Sequence, residues 1–384
     1  MTLGAQFGYP GVPGPGKIVQ VAPQPATIRV GAGGQFPVPS AAAAAARDGD
    51  VIEILAGDYS GDVAIWRQHN LIIRGVGGRA HLKAEGKHAE GKAIWVIKGT
   101  NATIENIEFS GAKVPSRNGA GIRQEGAGVL IRGCYFHDNE NGILAGKNPL
   151  SDVVIENSEF AFNGYGDGQT HNMYIGQVRS FTLRYSYSHH AKIGHNVKSR
   201  ALVNYILYNR IMDEDTGESS YAIDLPNGGL TFIIGNLIQQ GPRTQNRTIV
   251  SYGKEGLQNP ASAFYLINNT IVNDHMEGKF VAIQAGTTIA RLMNNIFSGP
   301  GTILTGPGEE VNNLISEKSG FVNAAEFDYH LTRNSPAIDA GTNPGSAHDF
   351  GLQPVNQYVH TAKGQKRVAI KTVDMGAYEY HGER

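Results

Sequence analysis

The sequence predicts an all-β protein folded as a single solenoid, and three observations carry that prediction. The 384 residues include 50 glycines and only 17% charged side chains, a composition that with its many asparagine and β-branched residues favours strands. A short phrase recurs along the chain at spacings of 24 to 33 residues, which is typical of solenoid coils. Because no helical pattern separates the β-patterned segments, the repeat selects a parallel β-helix.

The two ends of the chain are expected to differ from the coils. We predict a Gly/Pro-rich extended arm over 1–25, a β-helix domain with an N-terminal cap over 26–330, and a C-terminal segment packing on the β-helix over 331–384. Ser40 is the predicted N-cap of a short alanine-rich helix that runs to Arg47. Such a helix would cover the open end of the solenoid, where backbone groups are otherwise unpaired.

The recurring phrase is an aliphatic residue, any residue and then asparagine, and it marks one turn in each coil. An inward side chain at that turn can bond to the equivalent side chains of the neighbouring coils and satisfy buried backbone groups. We therefore predict a structural role for this slot, in which glycine and tyrosine each replace asparagine once. The slot residues are Asn106, Gly133, Asn157, Tyr185, Asn209, Asn236, Asn269 and Asn295.

A second strand precedes each of these phrases and predicts a ladder of outward side chains. The strand centres are Ile122, Ile143, Met173, Val197, Ile223, Val250 and Ile283. The residues that follow them, and that therefore point outward, are Arg123, Leu144, Tyr174, Lys198, Asp224, Ser251 and Gln284. Only the middle of this ladder is strongly polar and ionisable, so we place the candidate site there.

The centre of the ladder lies in two segments that repeat each other 24 residues apart, HNMY (171–174) and HNVK (195–198). If each segment is a strand, Met173 and Val197 point inward, because strand side chains alternate between the two faces. The side chains predicted to share the outer face are Asn172, Tyr174, Asn196 and Lys198. Adjacent rungs about 4.8 Å apart would bring them together.

The coil spacing and both ends of the coiled region carry a family resemblance. The segments GDVIEILAGDY (49–59), NSPAIDAG (334–341) and DMGAYEY (374–380) resemble right-handed parallel β-helix proteins of the pectate-lyase-like superfamily. The resemblance implies an all-β, right-handed parallel β-helix over most of the chain. This fold hosts lyases, glycoside hydrolases, epimerases and non-catalytic proteins, so it leaves the activity open.

A local match is closer. NVKSR (196–200), followed by YNRI (208–211), resembles the strand that carries the catalytic lysine in the chondroitinase-B and alginate-lyase family, which implies that Lys198 is a Brønsted base. Those enzymes place an arginine where this chain has Asp224, and many hold calcium with acidic residues where this chain has 191–193. We therefore expect no required cofactor, although the acidic loop 212–218 offers oxygen ligands for calcium.

A polysaccharide lyase must stabilise a uronate carboxylate, remove the C5 proton and protonate the leaving oxygen. Lys198 is the predicted base, and we expect Arg200 and Lys192 to favour its neutral form by like-charge repulsion. Tyr174 is the predicted acid, with His171 and His195 as rivals for the acid or base role. The predicted substrate-binding residues are Asn172, Asn196, Asp224, Arg123, His190 and Lys254, with Arg200 also on the carboxylate.

Each of these residues also has a structural interpretation. Lys198 is alternatively a solvated surface lysine, and Tyr174 a packing residue or a sugar-stacking platform. His171 and His195 are alternatively corner residues that bond to turns. Cys134 is expected to be inert packing.

Three other functions remain open on this fold. A glycoside hydrolase needs two carboxylates about 5–9.5 Å apart, and Asp224 with Asp213 or Glu214 is the candidate pair. The paired-Asp, Gly-His-Gly and Arg-Ile-Lys signatures of polygalacturonase-like enzymes are missing. A uronate epimerase shares the proton abstraction with a lyase, and a carbohydrate-binding solenoid needs no catalytic lysine.

Composition limits the partners. A net charge of −1 argues against a general nucleic-acid binder, and no apolar run approaches the ~18 residues that span a membrane. One cysteine excludes an internal disulfide. The first residues do not read as a signal peptide, yet an acidic polysaccharide as partner favours a secreted or periplasmic protein. We expect a monomer.

Overall fold

The computed structural model describes residues 25–317 and 319–382. The predicted arm over 1–25 lies outside these residues, apart from residue 25. Successive coils form a 10-stranded sheet and a 21-stranded sheet, and every strand pair between coils is parallel. The larger sheet has two arms because β2 (Val51–Ser60) and β4 (Ile72–Lys83) run through a corner and pair on both sides of it. We call the 10-stranded sheet the front sheet.

The front sheet contributes one short strand to each coil, stacked in chain order. Its strands are β3 (Ala64–Trp66), β5 (Ala93–Ile97), β8 (Ala120–Gln124), β11 (Asn141–Ala145), β14 (Met173–Ile175), β17 (Val197–Ser199), β20 (Ile223–Leu225), β23 (Thr248–Tyr252), β26 (Lys279–Ile283) and β29 (Thr302–Thr305).

The two arms of the 21-stranded sheet form the other walls of the coils. Besides β2 and β4, the first arm contains β1 (Thr27–Val30), β6 (Ala102–Glu105), β9 (Val129–Arg132), β12 (Asn148–Glu156), β15 (Val178–Arg184), β18 (Val203–Leu207), β21 (Leu230–Ile234), β24 (Ala263–Ile267), β27 (Ile289–Met293) and β30 (Glu309–Val311). The second arm contains β7 (Ile107–Ser110), β10 (Tyr135–His137), β13 (Glu159–Ala161), β16 (Tyr187–His189), β19 (Arg210–Met212), β22 (Leu237–Gln240), β25 (Thr270–Asn273), β28 (Ile296–Ser298) and β31 (Leu314–Ile315).

The interior of the coils is filled by the alternate, inward side chains of all three walls. In the early coils large rings pack against one another, two pairs edge to face and two pairs stacked, with centroids 4.7 to 5.3 Å apart. These rings are Trp66, Trp95, Phe109, Phe136 and Phe160. Each such pair adds about 0.5–1.5 kcal/mol beyond the apolar area that it buries, so the stack fixes the register of the coils.

The asparagine phrase marks a turn, as predicted. In the first half of the chain, however, the side chain that points inward is that of the residue after the predicted slot residue. Asn106, Asn157 and Tyr185 have φ of 57°, 50° and 53°, the left-handed region that asparagine tolerates, and the next residue points inward. Along the inward column, each backbone N–H donates to the side chain of the next member. The column is Cys134, Ser158, Ser186, Asn209, Asn236, Asn269, Asn295 and Asn313.

In the second half of the chain the predicted hydrogen bonding between inward asparagines is confirmed, because the slot residues themselves point inward. These residues are Asn209, Asn236, Asn269 and Asn295. The amide of Asn236 accepts from Asn209 and donates to Asn269, both at 2.9 Å. Cys134 is fully buried in the same column, and burial raises the pKa of its thiol to about 12. The expected inert packing role of Cys134 agrees with this environment.

The N-terminal helix α1 (Pro39–Ala45) forms as expected, but Ser40 is not its N-cap. Val38 occupies the cap position without a side-chain hydrogen bond, and Pro39 begins the helix, as proline's fixed φ allows at that position. Ser40 lies in the first turn, where its backbone N–H and hydroxyl donate to Asp62. The helix ends before Arg47.

The C-terminal segment runs back along the outside of the coils. Asn157 Nδ2 donates to Ala362 O at 3.1 Å, and Asn268 Nδ2 to Asp374 O at 2.8 Å. The domain boundaries remain predictions. The segment's elements, which include three antiparallel pairs, are β32 (Phe321–Asn323), the 3-10 helix Ala324–Glu326, β33 (Asp328–Leu331), β34 (Ser346–Ala347), β35 (Phe350–Gly351), β36 (Asn356–Val359) and β37 (Lys363–Lys366). Among the described residues, no helix has the length and apolarity to cross a membrane.

Candidate active site

The predicted ladder of outward side chains exists on the front sheet. Arg123, Leu144, Tyr174, Lys198, Asp224 and Ser251 pair in that order across six strands. The last predicted member is wrong, because Ser251 pairs with Ala282 rather than with Gln284. Met173 and Val197 are fully buried, as expected. Tyr174, Lys198 and Asp224 are therefore consecutive rungs on one outer face.

Lys198 lies between two carboxylates at the centre of this face. Its Nζ is 3.4 Å from Asp224 Oδ2 and 3.6 Å from Glu255 Oε1, and its side chain is only 11% exposed. The expectation that Lys192 flanks it is wrong, since Lys192 Nζ instead pairs with Asp138 at 3.3 Å. Anionic neighbours, and not only cationic ones, thus surround the amine.

Arg200 connects three other groups around Lys198. Its Nε donates to Tyr174 Oη at 2.8 Å, its Nη2 lies 2.8 Å from Glu255 Oε2, and its Nη1 donates to Asn227. Burial raises the pKa of Glu255, but the charges and hydrogen bonds of Arg200 and Lys198 outweigh it and hold that pKa below its ordinary value. Arg200 thus faces the same way as Lys198, as the alternation predicts.

Asp224 is the most enclosed charged group of the site. It is 3% exposed, its Oδ2 contacts Lys198, and its Oδ1 is buried with no hydrogen-bond partner among the described residues. Burial raises the pKa of this carboxyl above its ordinary value, an effect that the charge of Lys198 opposes only in part. A buried carboxyl with a free oxygen marks a site that can hold a proton.

His171 and His195 form a buried stack with Tyr221 beside the ladder. The two imidazoles stack at 4.5 Å, and His195 lies 4.9 Å from the ring of Tyr221. Each Nδ1 accepts a backbone N–H of the next coil, His171 from His195 and His195 from Tyr221. Burial lowers the pKa of His195 to about 3, with help from Lys198 and Lys254, and burial lowers that of His171 as well.

These contacts fix the protonation of the two histidines. Because both Nδ1 atoms are acceptors, the proton of each neutral ring is on Nε2, which in His195 faces Asp224 Oδ2 at 3.5 Å. The structural interpretation, in which both residues hold turns, therefore has direct support from the hydrogen bonds. Their catalytic assignment remains a prediction.

The outward orientation predicted for Asn172 and Asn196 is wrong. Both are fully buried, because each strand begins one residue later and the amides are held in the turn. Asn172 Nδ2 donates to Asn196 Oδ1 at 3.0 Å, and Asn196 Nδ2 donates to Asp213 Oδ1 at 3.1 Å. Neither amide is accessible to a ligand on the outer face.

The other predicted binding residues do not all lie on the same wall as Lys198. Arg123 is on the same face, separated from Tyr174 by Leu144, and pairs with Glu125 at 3.8 Å. Lys254 is exposed and donates to the hydroxyl of Tyr221. His190 follows β16 on the second arm, where its Nε2 contacts Thr216 Oγ1 at 3.0 Å, so it is on a different wall from the ladder.

The carboxylates expected to pair with Asp224 in a hydrolase are also elsewhere. Asp213 is buried in the turn, where Ser219 Oγ donates to it at 2.5 Å. Glu214 accepts from Tyr187 Oη at 2.5 Å on the second arm. Two of the four carboxylates of the acidic loop 212–218 are thus occupied by protein groups.

Glu255, Asn227 and Tyr221 were missed by the sequence reasoning. Glu255 lies in the loop after β23, two residues beyond Gly253, and reaches back across two strands to Lys198 and Arg200. Its position just beyond Ser251 in the ladder was the available signal. Strand alternation says nothing about side chains that enter from a loop.

A comparison with a solved structure agrees with this architecture. No protein-family model matches the chain, and no curated protein matches it. The crystal structure of pectate lyase Pel9A is similar with a TM-score of 0.62 and 15% identity, over 89% of this chain and 90% of that chain. A Geobacillus virus E2 protein, ORF18, has a TM-score of 0.37 and 11% identity, over 69% of this chain and 54% of its own.

The likeness to Pel9A shows the fold. The chain has the right-handed parallel β-helix fold of that structure, and the predicted all-β fold class is confirmed. The resemblance of 196–200 to the chondroitinase-B and alginate-lyase strand remains a prediction.

Proposed function

We propose that this protein is a polysaccharide lyase that cleaves an acidic, uronic-acid-containing polysaccharide by β-elimination, with Lys198 as the base. The observation that carries the proposal is the position of the Lys198 amine, which lies beside Arg200 and Tyr174 on the outer face of the front sheet. The fold shared with a pectate lyase supports it. The proposed site of action is outside the cytoplasm, where such polymers occur, and no cofactor is required.

Arg200 provides the carboxylate site. Arg200 and Lys198 now contact the two oxygens of Glu255, whose side chain is 48% exposed and lies on a loop bounded by Gly253 and Gly256. A uronate carboxylate that replaces Glu255 would receive the charge-assisted hydrogen bonds of Arg200, which leaves the Lys198 amine to act on C5. These bonds strengthen as negative charge develops on the carboxylate during removal of the C5 proton.

The elimination then uses two further groups. The neutral amine of Lys198 takes the C5 proton, the electron pair forms the C4–C5 double bond, and the bond from C4 to the glycosidic oxygen breaks. Because Tyr174 Oη accepts a hydrogen bond from Arg200 Nε, its own proton is free to pass to the leaving oxygen. Arg200 stabilises the resulting phenolate until solvent returns the proton to Tyr174 and removes it from Lys198.

A panel of acidic polysaccharides tests the proposal. We expect the wild-type protein to produce the ultraviolet absorbance of an unsaturated uronate on at least one polymer, and we expect Lys198→Ala to abolish it. Lys279→Ala is the matched control, because Lys279 is an exposed lysine at the start of another front-sheet strand. Equal activity of Lys198→Ala and the wild type would contradict the assignment of the base.

A glycoside hydrolase is the second candidate, and one observation favours it. Asp224 and Glu255 both lie within 3.6 Å of one amine, and their pKa values are shifted in opposite directions, upward for the buried Asp224 and downward for Glu255. An acid and a base with separated pKa values are what hydrolysis needs. New reducing ends without unsaturated product would favour this function.

A further inference from the structure

A cluster of two histidines and one glutamate lies on the second arm, away from the front sheet. His81, on β4, pairs directly with Glu108, on β7, and His137, on β10, pairs with Ser110 of β7. Their side chains point outward, because the residues beside them in each strand are buried. All three are partly accessible, with side chains 18 to 22% exposed, so an ion from solvent can reach them.

The three side chains converge on one point. Glu108 Oε1 is 3.3 Å from His81 Nδ1 and 3.1 Å from His137 Nε2, and one ligand atom from each residue lies within 4.8 Å of the others. Zinc binds imidazole nitrogen and carboxylate oxygen at about 2.0–2.2 Å, so neighbouring ligands in a tetrahedral site are about 3.3–3.5 Å apart. The separations in this cluster are close to that value.

The second nitrogen of each ring is held by another group. His137 Nδ1 is 2.9 Å from Asp138 Oδ2, and His81 Nε2 is 2.7 Å from Ser110 Oγ. Because a carboxylate only accepts, His137 Nδ1 carries a proton toward Asp138, so that Nε2, on the side of Glu108, is the nitrogen that an ion would bind. Carboxylate–histidine pairs of this kind orient the ligands of many zinc sites.

We propose that His81, Glu108 and His137 bind a divalent first-row transition-metal ion such as zinc. Two imidazole nitrogens and one carboxylate oxygen suit these ions, whereas calcium takes six to eight oxygen ligands. Asp58, whose Oδ1 lies 3.5 Å from His81 Nδ1 and whose side chain is 60% exposed, is placed to supply a fourth ligand. The ion would link three successive coils and act as a structural staple near the N-terminal end.

Titration of the untagged, full-length, chelator-treated protein with ZnCl₂ tests the proposal. We expect calorimetry to give one ion per chain, and we expect His137→Ala and His81→Ala to lose that binding. Asp138→Asn should retain the site but weaken it about 10- to 100-fold, the usual effect of removing a partner of a ligating histidine. Bound Co²⁺ should give visible absorption bands in the wild type that are absent in His137→Ala.

His330→Gln is the matched control, because it removes a partly exposed histidine that pairs with a carboxylate, Asp328, outside the cluster. We expect it to bind zinc as the wild type does. Identical isotherms for the wild type, His81→Ala and His137→Ala would overturn the proposal, and so would binding of Ca²⁺ in preference to Zn²⁺. Circular dichroism of each variant distinguishes loss of the metal site from loss of the fold. If an alanine variant unfolds, the conservative Glu108→Gln replaces it in the same titration, and we expect weaker zinc binding than in the wild type.

Discussion

The Lys198 amine and the Arg200 guanidinium share one carboxylate, that of Glu255. Arg200 Nη2 lies 2.8 Å from Glu255 Oε2, and Lys198 Nζ lies 3.6 Å from Oε1. Glu255 is therefore a competitor for any anionic ligand at this position. Because it is half-exposed, the pair contributes little to stability, on the order of 0.2–1 kcal/mol, and a substrate carboxylate can displace it.

Glu255→Gln should therefore strengthen substrate binding. Loss of an anionic competitor worth up to about 1 kcal/mol corresponds to a KM lower by up to about fivefold, with the fold unchanged. Steady-state kinetics on an oligouronate substrate measure the effect. A higher KM would show instead that Glu255 binds the sugar.

Tyr174→Phe should reduce kcat by about 10²- to 10⁴-fold, the usual contribution of a general acid. The phenylalanine ring retains the stacking surface, so KM should change little, and this distinguishes proton donation from sugar packing. The control is Tyr165→Phe, which alters an exposed tyrosine whose ring contacts Arg117 rather than a member of the ladder. A change in KM alone would support the packing interpretation of Tyr174.

At the scale of single residues, the sequence correctly predicted which side chains share the outer face wherever strand alternation alone decides their direction. Tyr174, Lys198, Arg200 and Asp224 share one face because every second strand residue does. The prediction failed for Asn172 and Asn196, whose amides satisfy buried turn groups one residue before each strand.

At the scale of single elements, the turns are held together by stacked amides. Asn163 bonds to Asn172, Asn172 to Asn196, and Asn196 to Asp213. Asp213 places a carboxyl in a row of neutral amides, and its burial raises its pKa to about 6. The phrase repeat did not predict this row; it predicted the other column, which contains Asn209, Asn236, Asn269 and Asn295. It could not give the register of that column in the first half of the chain, because either the asparagine or the residue before it can adopt the left-handed conformation.

Asp213 should make stability depend on pH. Below its unfolded pKa, near 3.8, both states are protonated; between 3.8 and about 6 only the folded state holds the proton. Stability therefore falls as pH rises through this window, by about 3 kcal/mol at most for two pKa units. In Asp213→Asn the amide row continues without a charge, so this part of the loss should disappear.

Thermal unfolding of the wild type and Asp213→Asn from pH 4 to pH 8 measures the difference. We expect similar Tm values at pH 4 and a higher Tm for the variant at pH 7. Parallel pH curves for the two proteins would contradict a raised pKa at Asp213.

At the scale of the whole molecule, the β-helix carries two separate polar regions on different walls. The Lys198 ladder lies on the front sheet, and the His81–Glu108–His137 cluster lies on the second arm, in earlier coils. The repeat length, the β-patterning and the resemblance predicted the solenoid correctly, because a stacked fold repeats its own local rules. They could not predict contacts from loops, such as that of Glu255, because those depend on how far each loop folds over the sheet.

The mass balance of the products tests the central claim most directly. The substrate is a defined oligouronate that the wild-type protein cleaves. It is incubated with the wild type and with Lys198→Ala, and the masses of the fragments are measured by mass spectrometry. β-Elimination by Lys198 predicts two fragments whose masses together equal the substrate mass, and no fragments from the variant. Fragments that together exceed the substrate mass by one water, or unchanged cleavage by Lys198→Ala, would contradict it.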